Sequence, residues 1–415
     1  MRAAAWLLFL GPFFFATYGF ANWLASTRAN VGVVVFDWER HIPFMPWTII
    51  PYWSIDLLYA ISLFVCTTRR EVDRHAQRLL FAQLVSVACF IAFPLRFSFE
   101  RPESSGLFGA LFTALGSFDK PFNQAPSLHI ALLIIVWVRL AAHVGTGFSP
   151  SGGLKPAPHL LHAWMALIGV SVLTTYQHHF LDLPTGAAVG FLALWIIPDE
   201  EESPLRRMSF TRDRKRVRLA LLYATGAALC TAVAFLGGAW LWMLWPAAAL
   251  AFVALIYAAI GERGFQKSAN GQLSLGSRAL LAPYLGAAWL NSRLWTRRHP
   301  DAAEVRDGVW IGRIPTKGEP FAAIVDLCAE LSCASHPAYH NVPVLDLTRP
   351  SDDALRAAAQ AIEGAPKPLL VCCALGYSRS ARAVVEWLLT TRRAASFDEA
   401  AAIVRKARPS VVLHD

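Results

Sequence analysis

Late in the chain a cysteine and an arginine stand six positions apart, in Leu369-Leu-Val-Cys-Cys-Ala-Leu-Gly-Tyr-Ser-Arg-Ser-Ala381. The apolar run before Cys373 predicts a buried strand, and Ala381 onward predicts a helix. A loop entering a helix N-terminus aims several backbone N–H groups at one point, where a phosphate can be held. Ala374, Leu375, Gly376, Tyr377 and Ser378 would supply those groups, and Arg379 an always-charged planar fork for two phosphate oxygens. In that field Cys373 offers a thiolate nucleophile at neutral pH, with Ser380 placed to hydrogen-bond it. The plain alternative is a buried structural cysteine beside a surface arginine. The strand before, the glycine within and the helix after count against it.

A second set of reactive residues lies far upstream: Arg96 and Arg101-Pro102, then Ser127-Leu128-His129, then His178-His179-Phe-Leu-Asp182. Histidines and carboxylates at membrane depth are costly and point to function by default. His178 and Asp182 are four apart, which on a helix start places both on one face. There Asp182 would fix the imidazole of His178 and make it a better nucleophile. His129 could then protonate a leaving oxygen, while Arg101 and Arg96 hold phosphate oxygens. The alternative uses are interfacial caps at helix ends and a zinc site on His129, His178 and His179. The zinc site is disfavoured because adjacent helical residues diverge and no fourth ligand is evident.

Both sets resemble the motifs of known families. Residues from about 305 to 415 resemble a dual-specificity phosphatase domain of the cysteine-phosphatase superfamily, with signature His-Cys-x5-Arg-Ser/Thr; Cys372 stands where that signature has His. The resemblance implies an α/β fold, a cysteinyl-phosphate on Cys373, Asp346 as acid and then base, and Ser380 assisting departure of the thiolate. Residues from about 45 to 200 resemble the membrane-embedded type 2 phosphatidic-acid phosphatase superfamily, with blocks Lys-x6-Arg-Pro, Pro-Ser-Gly-His and Ser-Arg-x5-His-x3-Asp. That resemblance implies a phosphohistidine on His178, with Asp182 as its partner, His129 as general acid, and Arg96, Arg101 and Ser127 at the phosphate. The first block is shortened, Leu128 replaces Gly, and Ser171-Val172 replaces Ser-Arg. The missing arginine of the third block moves the sequence toward the sphingomyelin-synthase-like branch, which transfers a phospho-head-group rather than hydrolysing a monoester. Neither resemblance implies a metal or a cofactor.

The elements that must position these residues follow from composition. Of 415 residues, 55% are hydrophobic and only 16% charged, too apolar for an ordinary soluble protein, and fifteen tryptophans suit membrane–water boundaries. Apolar runs of spanning length recur at about 4–24, 48–66, 79–95, 127–144, 160–177, 180–197, 217–236 and 239–260. The first could pass for a signal peptide, but further runs follow and no cleavage site stands out. Basic loops at Thr67–Arg78 and Pro198–Arg218 join spans of one parity, so the positive-inside rule puts both, and the C-terminal domain, in the cytoplasm. The segment 96–126 and the turn at 176–182 then face the other side. The net charge of +9 sits largely in those loops, which argues for topology rather than nucleic-acid binding. Seven scattered cysteines form no paired framework.

The expected architecture is an all-α polytopic membrane helix bundle followed by an α/β cysteine-phosphatase domain. Its parts are a six-helix domain over 1–200, a basic loop and two further spans over 201–265, an interfacial helix or linker over 266–304, and the α/β domain over 305–415. Strands are expected at Gly308–Arg313, Ala322–Leu327, Tyr339–Leu345 and Leu369–Val371. Helices are expected at Asp352–Ile362, capped by Asp352 and Asp353, and at Ser380–Thr391 and Ser396–Arg405. The expected function is a membrane-bound phosphatase with two sites: a cysteine-dependent phosphomonoesterase, and a histidine-dependent lipid phosphatase or head-group phosphotransferase. The partners are membrane phospholipids or lipid phosphates, then phosphoproteins. A catalytically degenerate lipid-binding scaffold is the alternative.

Overall fold

Long apolar runs with few charges satisfy their backbone by coiling into helices, and the first two thirds of this chain do so. The computed structural model describes residues 1–145, 156–199, 202–318 and 320–413. It is mostly helical, with a small mixed sheet near the C-terminus, and divides into two units, Met1–Ser203 and Pro204–Asp415.

The first unit holds α1 (Arg2–Ser26), α2 (Ile49–Phe64), α3 (Arg69–Ala92), α4 (Gly106–Phe118), α5 (Leu128–His143), α6 (Pro156–Thr174) and α7 (Asp182–Ile196). Helix α5 lies at its centre, packed on α7, α3, α6 and α2. The tightest approach is α5 to α7, across Gly186 and Gly190. A Cβ on Gly186 would lie 2.4 Å from the Ser127 carbonyl oxygen, and one on Gly190 2.9 Å from that of Ala131. Two small residues four apart let the backbones meet, as in close-packed membrane helices. The contact brings the start of α7 against the start of α5, with Ser127 N–H on the Asp182 carbonyl at 3.0 Å.

Among the described residues, five helices are long and apolar enough to cross a membrane: Arg2–Ser26, Pro46–Phe64, Arg69–Ala92, Arg214–Ala234 and Gly238–Ile260. The runs expected at 127–144, 160–177 and 180–197 are shorter as helices (Leu128–His143, His159–Thr174, Asp182–Ile196), because α5 starts at its Ser127 cap and a turn separates α6 from α7. The expected loop Thr67–Arg78 is in fact the start of α3. Thr68 and Glu71 form a capping box, so Arg69, Arg70, Arg74 and Arg78 ride on its first turns. Likewise Arg214, Lys215, Arg216 and Arg218 lie on a helix, and the expected loop 96–126 contains α4.

The second unit begins with α8 (Arg214–Ala234) and α9 (Leu244–Leu255), the latter preceded by a 3-10 turn (Gly238–Met243) and followed by a π turn (Ile256–Ile260). After α10 (Leu275–Leu280) and α11 (Ala282–Trp295) come β1 (Ala303–Arg306), β2 (Val309–Arg313), β3 (Ala323–Cys328), β4 (Tyr339–Val344), α12 (Asp352–Gly364), β5 (Leu369–Cys373), α13 (Arg379–Thr390) and α14 (Phe397–Ala407). The sheet runs β1-β2-β5-β3-β4, antiparallel only between β1 and β2. Strands β3 and β5 are buried at every residue, which is why β5 reads as an unbroken apolar run and β3 as one interrupted only by Asp326. Strand β1, an edge strand, was not expected. The cap of α12 is Ser351, whose hydroxyl accepts from Ala354 N–H; Asp352 and Asp353, expected as the cap, occupy the first turn, where their charge interacts favourably with the helix dipole.

Residues between α9 and β1 are stitched into the sheet. Lys267 Nζ lies 2.5 Å from the Asp326 carboxylate and 2.7 Å from the Cys328 carbonyl oxygen. From α11, Ser292 Oγ donates to the Ala374 carbonyl (2.5 Å) and Arg293 to that of Ile314 (3.1 Å), while Trp289, Leu290, Leu294 and Trp295 stay exposed.

Candidate active site

Strand β5 delivers Cys373 to a tight loop that ends where α13 begins, at Arg379. Gly376 makes the loop possible. Its φ is +74°, and a Cβ there would stand 2.3 Å from the Gly312 carbonyl carbon of β2. Folded this way, the loop turns Gly376 N–H onto Cys373 Sγ at 3.3 Å, and Ser380 Oγ approaches the same sulfur at 3.3 Å. The Ser378 side chain does not cap α13, so its first-turn N–H groups remain available to an anion. Tyr377 is anchored twice, its carbonyl accepting Val412 N–H (2.8 Å) and its hydroxyl donating to the Trp295 carbonyl (3.2 Å).

Arg379 is buried and gripped from behind. Its Nη1 donates to Glu330 Oε2 (2.8 Å) and to the Val344 carbonyl (2.7 Å); its Nη2 donates to Glu330 Oε1 (2.6 Å). Asp346 Oδ1 is 2.9 Å from the same Nη2. Burial alone would push the Glu330 carboxyl up, but the Arg379 guanidinium overrides it and holds the group below the usual carboxylate range. Asp346 goes the other way. Burial raises it, the Glu330 charge adds to that, and Arg379 only partly opposes. It sits in the turn after β4, closed by Thr348 Oγ1 on the Leu345 carbonyl (2.8 Å), with Leu347 at φ +58° and exposed. Thus one arginine touches both carboxylates while their affinities for a proton are pushed apart, an arrangement that suits one fixed anion and one proton donor.

Cys372, where the resembled signature has His, is fully buried, and burial followed by its hydrogen bond with Cys333 pushes its thiol well up. It therefore remains a neutral thiol behind the loop. Asp326, Cys333 and Cys372 bring possible metal-ligand atoms within 4.8 Å of one another, but Lys267 supplies the cation there. Burial would push Lys267 down, but the Asp326 charge raises it. Asp326 also accepts from Tyr339 Oη (2.8 Å) and Cys328 N–H (2.7 Å), which makes it structural.

In the first unit, His178 Nδ1 lies 3.1 Å from Asp182 Oδ2, and His178 Nε2 lies 3.1 Å from Ser127 Oγ. The two do not share a helix face, contrary to what their spacing suggested. His178 precedes α7 in a turn enabled by Tyr176 at φ +55°, and Asp182 reaches back to both His178 and His179 N–H (3.0 Å). Arg101 is turned onto the carbonyls of Thr175 (3.0 Å) and Tyr176 (3.1 Å), bracing that turn. Arg96 is exposed. His129 stacks on Tyr52 with centroids 4.2 Å apart, and its buried Nε2 finds no hydrogen-bond partner among the described residues. His129 and His178 line one pocket of about 70 Å³ with Tyr18, Tyr52, Asp56 and Asp119. His179 instead meets Glu39 Oε2 (3.1 Å) and Ser98 (3.0 Å), so the three histidines do not converge.

Sequence reasoning missed Glu330, Lys267, Tyr257, Asp56 and Asp119. The one available signal was an acid within or at the end of a mostly apolar stretch, which must be paired if buried: Glu330 follows Val325-Asp-Leu-Cys-Ala, and Asp119 follows the apolar run that became α4.

No protein-family model matches this chain, and no curated protein does. Among solved structures it is similar to one described as Tk-PTP in the active form, at 26% identity over 28% of this chain and 90% of that one, with a TM-score of 0.23. A likeness at that score carries no functional argument.

Proposed function

We propose that the second unit is a cysteine-dependent phosphomonoesterase in a multi-pass membrane protein, with its α/β layer on the cytoplasmic side. The observation that carries this reading is the sulfur of Cys373 held by Gly376 N–H and Ser380 Oγ at the uncapped start of α13, with Arg379 and Asp346 paired at 2.9 Å beside it. The Cys373 thiolate attacks phosphorus, the ester P–O bond breaks, and Asp346 gives its proton to the departing oxygen. Water then attacks phosphorus and the P–S bond breaks, Asp346 takes the proton from the water, and Ser380 stabilises the released thiolate. The N–H groups of Ala374–Ser378 hold the phosphate oxygens throughout, joined by Arg379 as Asp346 turns from its Nη2 to the leaving oxygen. Two long apolar helices, α8 and the one running from Gly238 to Ile260, share a unit with this site, which favours a lipid phosphomonoester over a diffusible phosphoprotein.

Because Asp346 must be protonated to act first, its raised affinity for a proton extends activity toward neutral pH, and the rate falls on the alkaline side as it ionises. In kcat/KM profiles, Asp346→Asn is expected to erase that alkaline limb. Glu330→Gln removes a charge that keeps Asp346 protonated, so the limb should move to lower pH; a limb unmoved by either change would refute the assignment.

The His178 centre favours a second activity. Asp182 orients His178 as nucleophile, and His129, unpartnered at Nε2, faces the same pocket as a proton donor. Asp56 and Asp119 line that pocket where arginines were expected. They would repel a dianionic monoester and tolerate a zwitterionic phosphodiester, so we favour head-group transfer or diester cleavage over monoester hydrolysis. His178→Ala is expected to abolish conversion of a zwitterionic phospholipid in vesicles and to leave Cys373-dependent hydrolysis intact. Full lipid conversion by His178→Ala would remove this half of the proposal.

A further inference from the structure

We infer that Tyr257, on the last long apolar helix, is a positioning residue for the acid loop of the Cys373 site; the inference rests on the cysteine reading of that site. The regular ladder of the helix breaks at its end. Gly261 N–H bonds to the Ile256 carbonyl, five residues back, at 2.8 Å, so Ile256–Ile260 form a π turn. Such turns are uncommon and gather at functional sites. Here the carbonyls it frees are taken up by the first turn of α8 and the segment leading into it: Tyr257 by Arg216 Nε (3.1 Å), Ala258 by Thr211 N–H (2.8 Å) and Ala259 by Ser209 N–H (3.0 Å).

The Tyr257 ring is fully buried. It lies 5.3 Å from the Tyr223 ring of α8, which meets Tyr284 of α11 at 5.7 Å, and Tyr284 meets Phe265 at 6.0 Å. Three further rings, from α8, α11 and the turn at Phe265, therefore form the cluster that fixes where the phenol points. Its hydroxyl donates to the main-chain carbonyl of Asp346 at 2.9 Å. Asp346 is thus located from two sides, its backbone by Tyr257 and its carboxylate by Arg379. The acid loop does not supply the first constraint itself: its own closing bond, Thr348 to Leu345, leaves the Asp346 carbonyl out.

A proton donor displaced by a fraction of an ångström loses proton transfer while the nucleophile and phosphate cradle stay intact. The loss then depends on how much the leaving oxygen needs the proton. The test uses the full-length chain in nanodiscs, with an alkyl phosphate and with 2,4-dinitrophenyl phosphate, whose leaving group departs without help. Tyr257→Phe keeps the ring and removes only the hydroxyl. It is expected to lower kcat on the alkyl ester about tenfold more than on the dinitrophenyl ester, a fraction of the full general-acid effect. In an Asp346→Asn background the same change should add nothing, since there is no donor left to position. Equal losses on both esters, or a further alkyl-specific loss on top of Asp346→Asn, would overturn the positioning role. Hydrolysis of these esters that survives Cys373→Ser in a chain also bearing His178→Ala would sink the cysteine reading beneath it and the positioning role with it, a result that needs no Tyr257 variant to recognise.

Discussion

Replacing Cys373 by Ser is expected to drop phosphomonoester hydrolysis to the uncatalysed background, and Asp346→Asn to leave a rate about 10²–10⁴-fold below wild type on alkyl esters. The difference follows from their roles. Without the sulfur there is no covalent intermediate, and an alcohol at the same place has no comparable tendency to ionise in the field of Arg379 and the α13 N-terminus. Without the Asp346 carboxyl the thiolate still attacks, but the departing alkoxide leaves unprotonated. Neither change should unfold the unit. Cys373→Ser alters one atom within a loop pinned by Gly376 against Gly312 and by Tyr377 at two points. Asp346 is half-buried in a turn held by other groups. Turnover of a soluble aryl phosphate and of a lipid phosphate by purified full-length chains measures both.

Glu330→Gln is expected to destabilise the second unit by about 3–5 kcal/mol, because removing one partner of a buried pair leaves the other charge uncompensated. Asp346 at 2.9 Å is the remaining partner of Arg379, so the loss should fall at the lower end of that range. The same event should slow catalysis, since an arginine released by Glu330 draws Asp346 onto itself and away from the leaving oxygen. The pairing also sets a pH dependence. Glu330 is held below its unfolded affinity for a proton, so its contribution is present above the unfolded carboxylate pKa of about 4.3 and lost as pH falls through the folded value. Thermal unfolding in detergent reads both effects. Arg379→Met in the Glu330→Gln background should restore much of the stability and none of the activity, which separates the structural role of the pair from its chemical one.

What could be read from the residues alone differs between the two units for a physical reason. In the second, the reactive residues sit inside one short segment, and β5, the loop and α13 follow locally from an apolar run, a glycine and a helix-forming stretch. Strands β2 to β5 and the three helices beyond β1 lie close to their expected positions. The partners of that segment come from afar. Glu330 is 49 positions from Arg379, Tyr257 is 89 from Asp346, and Lys267 is 59 from Asp326; no periodicity encodes such pairings. In the first unit His129, His178 and Asp182 were legible by type and spacing, but not how they meet. That depends on Gly186 and Gly190 admitting α5, and on Tyr176 adopting a left-handed backbone. The arginines were misplaced for a simpler reason. Basic side chains at helix starts look like loop residues when the capping Thr68–Glu71 pair is overlooked. Arg101, expected on phosphate, is bonded to carbonyls of the turn it braces.

The central claim is that Cys373 carries phosphate during turnover. The direct measurement is acid quench of a full-length chain bearing Asp346→Asn and His178→Ala, mixed with 2,4-dinitrophenyl phosphate, with the phosphorylated peptide then mapped by mass spectrometry. Asp346→Asn slows hydrolysis of the intermediate, the dinitrophenolate leaves without the acid, and His178→Ala removes the other nucleophile. Phosphate on the sulfur of Cys373, absent when Cys373→Ser is added, is the predicted result. Continued release of dinitrophenolate with no label on Cys373, or the same release from the Cys373→Ser chain, would contradict it.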